Sequence, residues 1–197
     1  MISRRRITPL YDTYMCGING VTRRDRKLVE RMNAATVHRG PDGVGIYENE
    51  HITFGHNRLA IIDLSPQGAQ PMKSADGSLV ITYNGELYNY RELRRELSDY
   101  PYRSKTDTEV ILAAYAKWGI ECLKRFNGIF AFALWDAQKE ELLLARDPMG
   151  VKPLYYALKD GVMIFSSEIK ALLEAGISRT LDREAFSRFI RIADAIG

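Results

Sequence analysis

Hydrophobic and polar residues alternate in short runs along most of the chain, a pattern typical of strands with one buried face. Eight runs, punctuated by Gly, Pro, Asp or Asn, are predicted to be strands: residues 17–21, 44–48, 52–56, 79–83, 129–135, 141–145, 154–158 and 162–166. The last two flank Asp160-Gly161, a strong signal for a two-residue hairpin turn. Short loops favour antiparallel pairing, and eight strands suggest more than one sheet.

Helical periodicity occurs in fewer segments. Three apolar faces are predicted to be helical: Leu28, Met32 and Ala35; Tyr90, Leu93 and Leu97; and Val110, Ile111, Ala114, Tyr115 and Trp118. Thr106 and Glu109 have capping-box spacing before the third of these helices, and one more helix is predicted at residues 182–190. Strand groups interrupted by amphipathic helices, without strict alternation, predict an α+β fold in which helices cover the sheets.

Composition narrows the class of protein. The 197 residues are 46% hydrophobic, which is enough for one sizeable core and excludes global disorder. A net charge of +3 is too weak to indicate a nucleic-acid partner, and no apolar run approaches the length of a membrane helix, so a soluble protein without a membrane partner is expected. Two distant cysteines, Cys16 and Cys122, argue against a disulfide framework and favour a cytoplasmic setting.

The first fifteen residues differ from the rest. They contain three consecutive arginines at positions 4–6 but lack the apolar stretch of a signal peptide. They are either a propeptide or basic arm, or the result of a start assigned too early, with Met15 as the true initiator; the second alternative is favoured. Initiator methionine is removed before a small residue, so translation from Met15 would expose Cys16 as the first residue.

An N-terminal cysteine has chemistry that an internal one lacks. Its α-amino group, with a pKa near 7.7–8.0, lies within a few ångströms of its own thiol, so one residue supplies a nucleophile and a general base. The alternative for Cys16 is a buried cysteine on the first strand. Cys122, beside Trp118, is predicted to be a core thiol.

Five short motifs occur in order along the chain. They are Met15-Cys16-Gly17-Ile18, His38-Arg39-Gly40-Pro41-Asp42-Gly43, Arg58-Leu59-Ala60-Ile61-Ile62-Asp63, Tyr83-Asn84-Gly85-Glu86-Leu87-Tyr88-Asn89 and Thr106-Asp107-Thr108-Glu109. Together they resemble the class II glutamine amidotransferase domain of glutamine-hydrolysing asparagine synthetases, and segments at 146–156 and 166–172 extend the match to about residues 15–190. The resemblance implies an N-terminal-nucleophile hydrolase fold, a four-layer αββα sandwich of two antiparallel sheets.

The same resemblance implies the reacting residues. Cys16 would attack the side-chain amide of L-glutamine, and Asn84 and Gly85 would donate hydrogen bonds to the oxyanion. In isolation, the Asn84-Gly85 dipeptide is more simply a hairpin turn.

Further residues are implied to hold the amino-acid head of glutamine. Arg58 would bind the α-carboxylate, and Asp107 with Glu86 would bind the α-ammonium. Leu59, Ala60, Ile61 and Ile62 complete the implied glutamine site. Without the family context Arg58 is an ordinary strand-end arginine, and Asp107 would be favoured in the first turn of a helix in any case.

Other polar segments are expected to have no catalytic role. The resemblance implies that the loop at 38–43 closes over bound glutamine, without a proton transfer from His38. His51 and His56 have no partners at metal-ligand spacing, so no metal is expected in this domain. Residues 146–153 lack the GxxxxGK[ST] pattern of a phosphate loop and are predicted to form a structural turn.

The predicted organisation is an extension at 1–15, an amidotransferase domain at 16–190 and a tail at 191–197. The ATP-pyrophosphatase domain of asparagine synthetases, with its Ser-Gly-Gly-x-Asp-Ser loop, is not found in the sequence. ATP and Mg²⁺ are therefore expected only in that missing domain, and no cofactor is expected here. The expected partners are L-glutamine and a synthetase domain or subunit, with homodimerisation left open.

The expected function is hydrolysis of glutamine to glutamate and ammonia, with the ammonia supplied for the amidation of aspartate. One alternative is a glutaminase that serves another acceptor. The other is a silent regulatory or docking module, because residues 1–15, if retained, give Cys16 an amide nitrogen in place of a free amine.

Overall fold

The computed structural model describes residues 15–180, 182–184 and 186–188. The predicted extension at 1–15, except for Met15, and the tail at 191–197 lie outside the described residues. The strands are β1 (Gly17–Val21), β2 (Gly43–Glu48), β3 (Thr53–Arg58), β4 (Met72–Lys73), β5 (Leu79–Leu87), β6 (Gly128–Asp136), β7 (Glu141–Arg146), β8 (Tyr155–Lys159) and β9 (Val162–Ser166). The helices are α1 (Arg26–Ala35), α2 (Tyr90–Glu96), α3 (Asp107–Trp118) and α4 (Ile169–Leu173).

The strands form two sheets in which every pair is antiparallel. The five-stranded sheet has the order β2-β3-β1-β9-β8, and the four-stranded sheet has the order β4-β5-β6-β7. The β8–β9 hairpin turns at Asp160 and Gly161, both with positive φ, as the sequence predicted.

The hydrophobic core lies in three layers. The helices α1 and α4 cover the outer face of the five-stranded sheet, and α2 and α3 cover that of the four-stranded sheet. Phe54 and Phe165 from one sheet meet Val80, Ala133 and Trp135 from the other between them. This arrangement confirms the predicted αββα sandwich, and Cys122 is a buried core thiol as expected.

Local chemistry fixes where the helices begin. The Thr106 hydroxyl caps α3 by accepting a hydrogen bond from the Glu109 N–H at 3.3 Å. The Glu109 carboxylate does not return to Thr106, as in a reciprocal capping box, but accepts from the backbone N–H groups of Arg103 and Ser104 at 2.9 and 2.6 Å. The cap therefore also fixes the loop that leads into α3.

All eight predicted strands are present, with two differences. The two-residue β4 was not predicted, because two residues carry no readable alternation. Strand β5 continues past residue 83 to Leu87, so Asn84 and Gly85 pair with Ala131 and Phe130 of β6. The hairpin-turn alternative for this dipeptide is therefore wrong, because β6 offers a pairing partner that the local sequence does not reveal.

The predicted helix at 182–190 lies partly outside the described residues. Within it, residues 183–184 and 186–188 are helical, and the Phe186 N–H donates to the Asp182 carbonyl at 2.9 Å. In the part of the chain that the structure describes, no helix has the length and apolar character needed to span a membrane.

Candidate active site

A pocket opens where the two sheets meet the first turn of α3. Its walls come from the residue before β1, the end of β3, the segment that follows β3, strand β5 and the start of α3. The lining residues are Cys16, Arg58, Leu59, Ala60, Ile61, Ile62, Asp63, Gly68, Gln70, Tyr83, Gly85, Glu86, Thr106, Asp107 and Thr108.

The Cys16 thiol lies in the wall of this pocket. Its Sγ accepts a hydrogen bond from the Leu59 N–H at 3.3 Å and lies 3.6 Å from the Leu59 carbonyl oxygen. Burial raises the pKa of the thiol, and the Asp107 carboxylate raises it further. The Leu59 N–H and the positive charges of Arg39 and Arg58 act in the opposite direction. Burial is the largest of these effects, so the pKa of the thiol is raised overall.

A buried arginine holds the backbone of Cys16. Arg39 Nε donates to the Cys16 carbonyl at 3.1 Å, and its Nη1 donates to Glu168 Oε1 at 3.1 Å. Glu168 also contacts His38 Nε2 at 2.8 Å and Lys170 Nζ at 3.0 Å. The carbonyl side of the nucleophile is thus fixed by Arg39, which is itself held by Glu168, 129 residues further along the chain.

The edge of β5 presents backbone donors to the pocket. The Tyr83 N–H donates to Gln70 Oε1 at 2.6 Å, and the Leu87 N–H donates to Asp107 Oδ2 at 3.0 Å. N–H groups two residues apart on a strand point to the same edge, so the Gly85 N–H points into the gap between these two bonds. Phe130 of β6 lies directly opposite Gly85, but its backbone N–H and carbonyl are hydrogen-bonded to Asp147.

Gly85 is also required by packing. A Cβ atom at this position would lie 2.4 Å from the Ile129 carbonyl oxygen, so the close approach of β5 and β6 excludes any side chain. The same small residue leaves its N–H accessible from the pocket.

The Asn84 side chain faces the other sheet. Alternate residues of β5 point inward, and Thr82, two residues earlier, donates from Oγ1 to the Gly55 carbonyl at 3.1 Å across the interface. Asn84 is 2% exposed, and its Nδ2 has no acceptor among the described residues. A buried amide donor without a partner costs about 1–3 kcal/mol, which points to a ligand that would accept the hydrogen bond.

Asp107 is a carboxylate held in a defined orientation. Its Oδ2 accepts from the Tyr83 hydroxyl at 2.7 Å and from the Leu87 N–H, while Oδ1 accepts from the Thr108 N–H at 3.0 Å. Burial raises the pKa of this carboxyl group, and the bonds from Leu87 and Tyr83 oppose the rise. A negative group therefore faces the pocket from the first turn of α3.

Arg58 supplies the positive group. Its Nη2 donates to the Asp63 carbonyl and, at 3.1 Å, to the Ser65 carbonyl. The loop that follows β3 is thus wrapped around the guanidinium, and the Ala60 N–H donates to Asp42 Oδ2 at 2.9 Å. The contact with Asp42 joins the predicted glutamine-binding segment to the loop at 38–43.

The structure brings the predicted site residues to one place. Nine line the pocket: Cys16, Arg58, Leu59, Ala60, Ile61, Ile62, Gly85, Glu86 and Asp107. Asn84 lies behind it in the sheet interface. Their roles toward glutamine stay predictions.

The sequence assigns no role to Arg39, Tyr83 or Glu168, which hold Cys16 and Asp107 in place. Arg39 and Tyr83 belong to the motifs, but only the tertiary contacts reveal what they hold. Lys152 lies within the predicted turn at 146–153.

The remaining polar segments have structural contacts. His56 is fully buried on β3, where Nε2 lies 3.2 Å from the Tyr83 carbonyl, and burial lowers its pKa to about 4. His51 stacks on Trp135 with 5.7 Å between ring centroids. No cluster of three metal-ligating side chains occurs within the described ranges.

Residues 147–154 connect the two sheets, and Asp147 accepts from the N–H groups of Val151 and Lys152 at 3.0 and 3.1 Å, which confirms a structural turn.

Comparison with known proteins gives a consistent result. Residues 15–196 match the family described as glutamine amidotransferase domain. The chain is 40% identical over 186 residues to asparagine synthetase [glutamine-hydrolyzing] 1 of Bacillus subtilis, covering 89% of this chain and 29% of that protein. It is also 40% identical over 167 residues to asparagine synthetase B [glutamine-hydrolyzing] of Escherichia coli, covering 81% of this chain and 30% of that protein.

A solved structure shares the fold. The glutamine phosphoribosylpyrophosphate amidotransferase of B. subtilis superposes with a TM-score of 0.71 at 21% identity, over 82% of this chain and 44% of that one. The present chain spans about 30% of the length of the two asparagine synthetases. The family resemblance inferred from the motifs is thereby confirmed, and the chain belongs to the glutamine amidotransferase domain family.

Proposed function

We propose that this domain hydrolyses L-glutamine to glutamate and ammonia, with Cys16 as the nucleophile. The observation that carries the proposal is a pocket lined by a thiol, an anion and a cation, with an unpaired buried amide, that of Asn84, on the strand that forms one of its walls. Glutamine needs all four, because its reacting end is a neutral amide and its other end is a zwitterion.

The reaction would begin at the thiol. Cys16 Sγ would attack the side-chain carbonyl carbon of glutamine while its proton passes to the α-amino group of the same residue. The tetrahedral species would then expel ammonia, which takes up that proton, and leave a γ-glutamyl thioester. Water would hydrolyse the thioester to glutamate and regenerate the thiol. This cycle requires Cys16 to have a free α-amine.

The oxyanion of the tetrahedral species would lie between β5 and the nucleophile. Asn84 Nδ2 and the Gly85 N–H are the two donors suited to this position, since one lacks an acceptor and the other faces the gap in the β5 edge. Donors of this kind contribute on the order of 3–4 kcal/mol each to transition-state stabilisation.

The amino-acid head of glutamine would bind at the α3 end of the pocket. Asp107, oriented by Tyr83 and Leu87, would bind the α-ammonium together with Glu86. Arg58 would bind the α-carboxylate through guanidinium N–H groups other than the Nη2 that holds the Asp63 and Ser65 carbonyls. The wall of residues 59–62 would fit the methylene groups between the two ends.

The relatives support a proposal for the fate of the ammonia. Proteins named asparagine synthetases share this domain, so we propose delivery to an ATP-dependent synthetase domain or subunit that amidates aspartate. ATP and Mg²⁺ would bind there. A cytoplasmic location and a homodimeric state complete the proposal.

The experiment is a glutaminase assay on protein with a defined first residue. Intact mass and N-terminal sequencing would establish whether purified protein begins at Met1 or at Cys16. Protein that begins at Cys16 should release ammonia from glutamine, and Cys16→Ala should abolish that release because no other thiol lines the described pocket. The matched control Cys122→Ala should retain it, since Cys122 lies in the core of the other sheet. No ammonia release from folded protein beginning at Cys16 would favour the silent docking module.

A further inference from the structure

Lys152 is a buried cation without a counterion. Lys152 is 9% exposed, and its Nζ lies 2.9 Å from the sulfur of Met15, the residue immediately before Cys16. Among the described residues it takes part in no ion pair. A thioether is only a weak hydrogen-bond acceptor. Burial of this ammonium group beside Met15, on the N-terminal side of Cys16, is therefore energetically unfavourable.

The backbone around Lys152 is fixed independently of its side chain. Its N–H donates to Asp147 Oδ2 at 3.1 Å, and its carbonyl accepts from Arg146 Nε at 2.7 Å. Asp147 in turn accepts from the Phe130 N–H of β6 at 3.2 Å. Strands β6 and β7 therefore aim the side chain at residues 15 and 16, while the turn itself does not need an ammonium group.

The charges around Lys152 link it to the active site. Burial lowers the pKa of its ammonium, and the Arg39 guanidinium lowers it further. The Glu86 and Asp147 carboxylates and the Cys16 thiol favour the charged form. From the other side, Cys16 faces Asp107, Arg39 and Arg58. Lys152 thus contacts the residue that proposed maturation would remove, and its charge acts on Cys16.

We propose that Lys152 is a positioning residue that keeps the α-amine of Cys16 neutral and favours the Cys16 thiolate. This inference rests on the proposed function. Removal of Met15 would leave the ammonium that contacts it close to the new α-amine, and two neighbouring amines do not both hold a proton easily. The α-amine has the lower intrinsic pKa, so it is the one that becomes neutral.

The role is electrostatic and leaves the proton balance of the reaction unchanged. The thiol proton still passes to the α-amine and leaves with ammonia as the C–N bond breaks. Lys152 neither gives nor takes a proton and does not line the described pocket. Its effect is to raise the fraction of molecules in which the amine can accept the thiol proton.

The first test uses the full 197-residue chain with the Cys122→Ala substitution, so that Cys16 is the one thiol. The rate of alkylation by iodoacetamide is measured against pH for the parent, Lys152→Met and Lys152→Arg. Loss of the charge should raise the midpoint by about one pH unit, and so slow alkylation near neutral pH about tenfold. Lys152→Arg should stay close to the parent, and Lys27→Met, which removes a charge from an exposed position of α1, should cause no shift.

The second test uses protein that begins at Cys16. The apparent pKa below which kcat/KM for glutamine falls should be higher by about one pH unit in Lys152→Met. It should return to the parent value in Lys152→Arg. An unchanged apparent pKa and alkylation midpoint in Lys152→Met, or an equal shift in Lys152→Arg, would overturn the proposal. If Lys152→Met does not fold, as judged by circular dichroism, Lys152→Gln replaces it. If the parent releases no ammonia, the proposed function fails, while the alkylation midpoints still decide the effect of Lys152.

Discussion

The two sheets hold their helices in different ways. Under the four-stranded sheet, Ile81 and Phe132 lie in one apolar cluster with Ile111 and Leu112 of α3, while the hydrogen bonds between β5 and α3 are made by Asp107 in the first turn of the helix. Under the five-stranded sheet, polar side chains lie among the apolar ones. Asn19 of β1 donates through Nδ2 to Asn33 Oδ1 at 2.8 Å and to the Thr36 hydroxyl at 2.9 Å, at the end of α1.

This polar network extends across three strands. Asn57 of β3 donates to the same Thr36 hydroxyl at 2.8 Å, and the Ser166 hydroxyl of β9 donates to Asn19 Oδ1 at 2.7 Å. Apolar burial stabilises a layer without fixing direction, whereas hydrogen bonds specify distance and angle. The strand that follows Cys16 is therefore fixed by directional contacts on its helix-facing side, and the sheet that carries Asn84 and Gly85 is fixed mainly by packing, with hydrogen bonds to Asp107 at the start of α3.

Phe132→Ala tests the packing side of this comparison and should have the largest effect on stability. Phe132 is fully buried on β6, so the lost contacts and the cavity should lower the free energy of unfolding by about 3–5 kcal/mol. Urea denaturation measures the change. The half-exposed Phe186→Ala is the control and should change little. If the alkylation rate of Cys16 in the folded variant also fell sharply, packing and positioning would not be separable.

His56→Gln tests the contact between the sheets. The pKa of His56 is about 4 in the folded protein and near 6.5 when unfolded, so between these values the unfolded chain binds more protons. The free energy of unfolding should therefore fall as the pH is lowered from about 6.5 to 4, by about 3 kcal/mol from this residue. Glutamine can keep the bond to the Tyr83 carbonyl without titrating.

The measurement for His56 is the free energy of unfolding against pH, for the parent and the variant. The difference between the two curves should change through the window from 6.5 to 4 and be flat above it. Parallel curves would show that His56 does not contribute to acid sensitivity.

Asn19→Ala tests the directional side and should have the smallest effect on stability of the three. It leaves the Ser166 hydroxyl and Asn33 Oδ1 without their buried partner, at a cost of about 1–3 kcal/mol. Because Asn19 is three residues from Cys16, we expect glutaminase activity of protein beginning at Cys16 to fall about tenfold or more. The exposed Asn127→Ala is the control. A loss of stability with unchanged kcat/KM would contradict a positioning role.

Local sequence was sufficient to predict the elements whose chemistry is local. Thr106 begins α3 through a bond to a residue three positions away, and Asp160-Gly161 turns the last hairpin because both residues tolerate positive φ. The alternation of apolar residues likewise identified the longer strands, since each buries one face.

Contacts between distant segments could not be predicted in this way. Local preference makes Asn84-Gly85 a turn, but pairing with β6 over the whole of β5 outweighs it. Arg39 reaches Glu168 across 129 residues, and Lys152 reaches Met15 across 137. The spacing of hydrophobic residues along the chain does not indicate contacts between segments so far apart. The site residues were predicted through the family motifs, and the residues that support them became visible only in the fold.

The short β4 has a consequence for solubility. A strand at the edge of a sheet exposes backbone groups that can pair with another chain. Strand β4 covers β5 only opposite Val80 and Ile81, and beyond it the N–H groups of Tyr83 and Leu87 are bonded to the side chains of Gln70 and Asp107. The open edge at Gly85, where we propose that the oxyanion binds, is thus kept from recruiting a foreign strand by two side chains, so resistance to aggregation and the proposed capacity to bind depend on the same few residues.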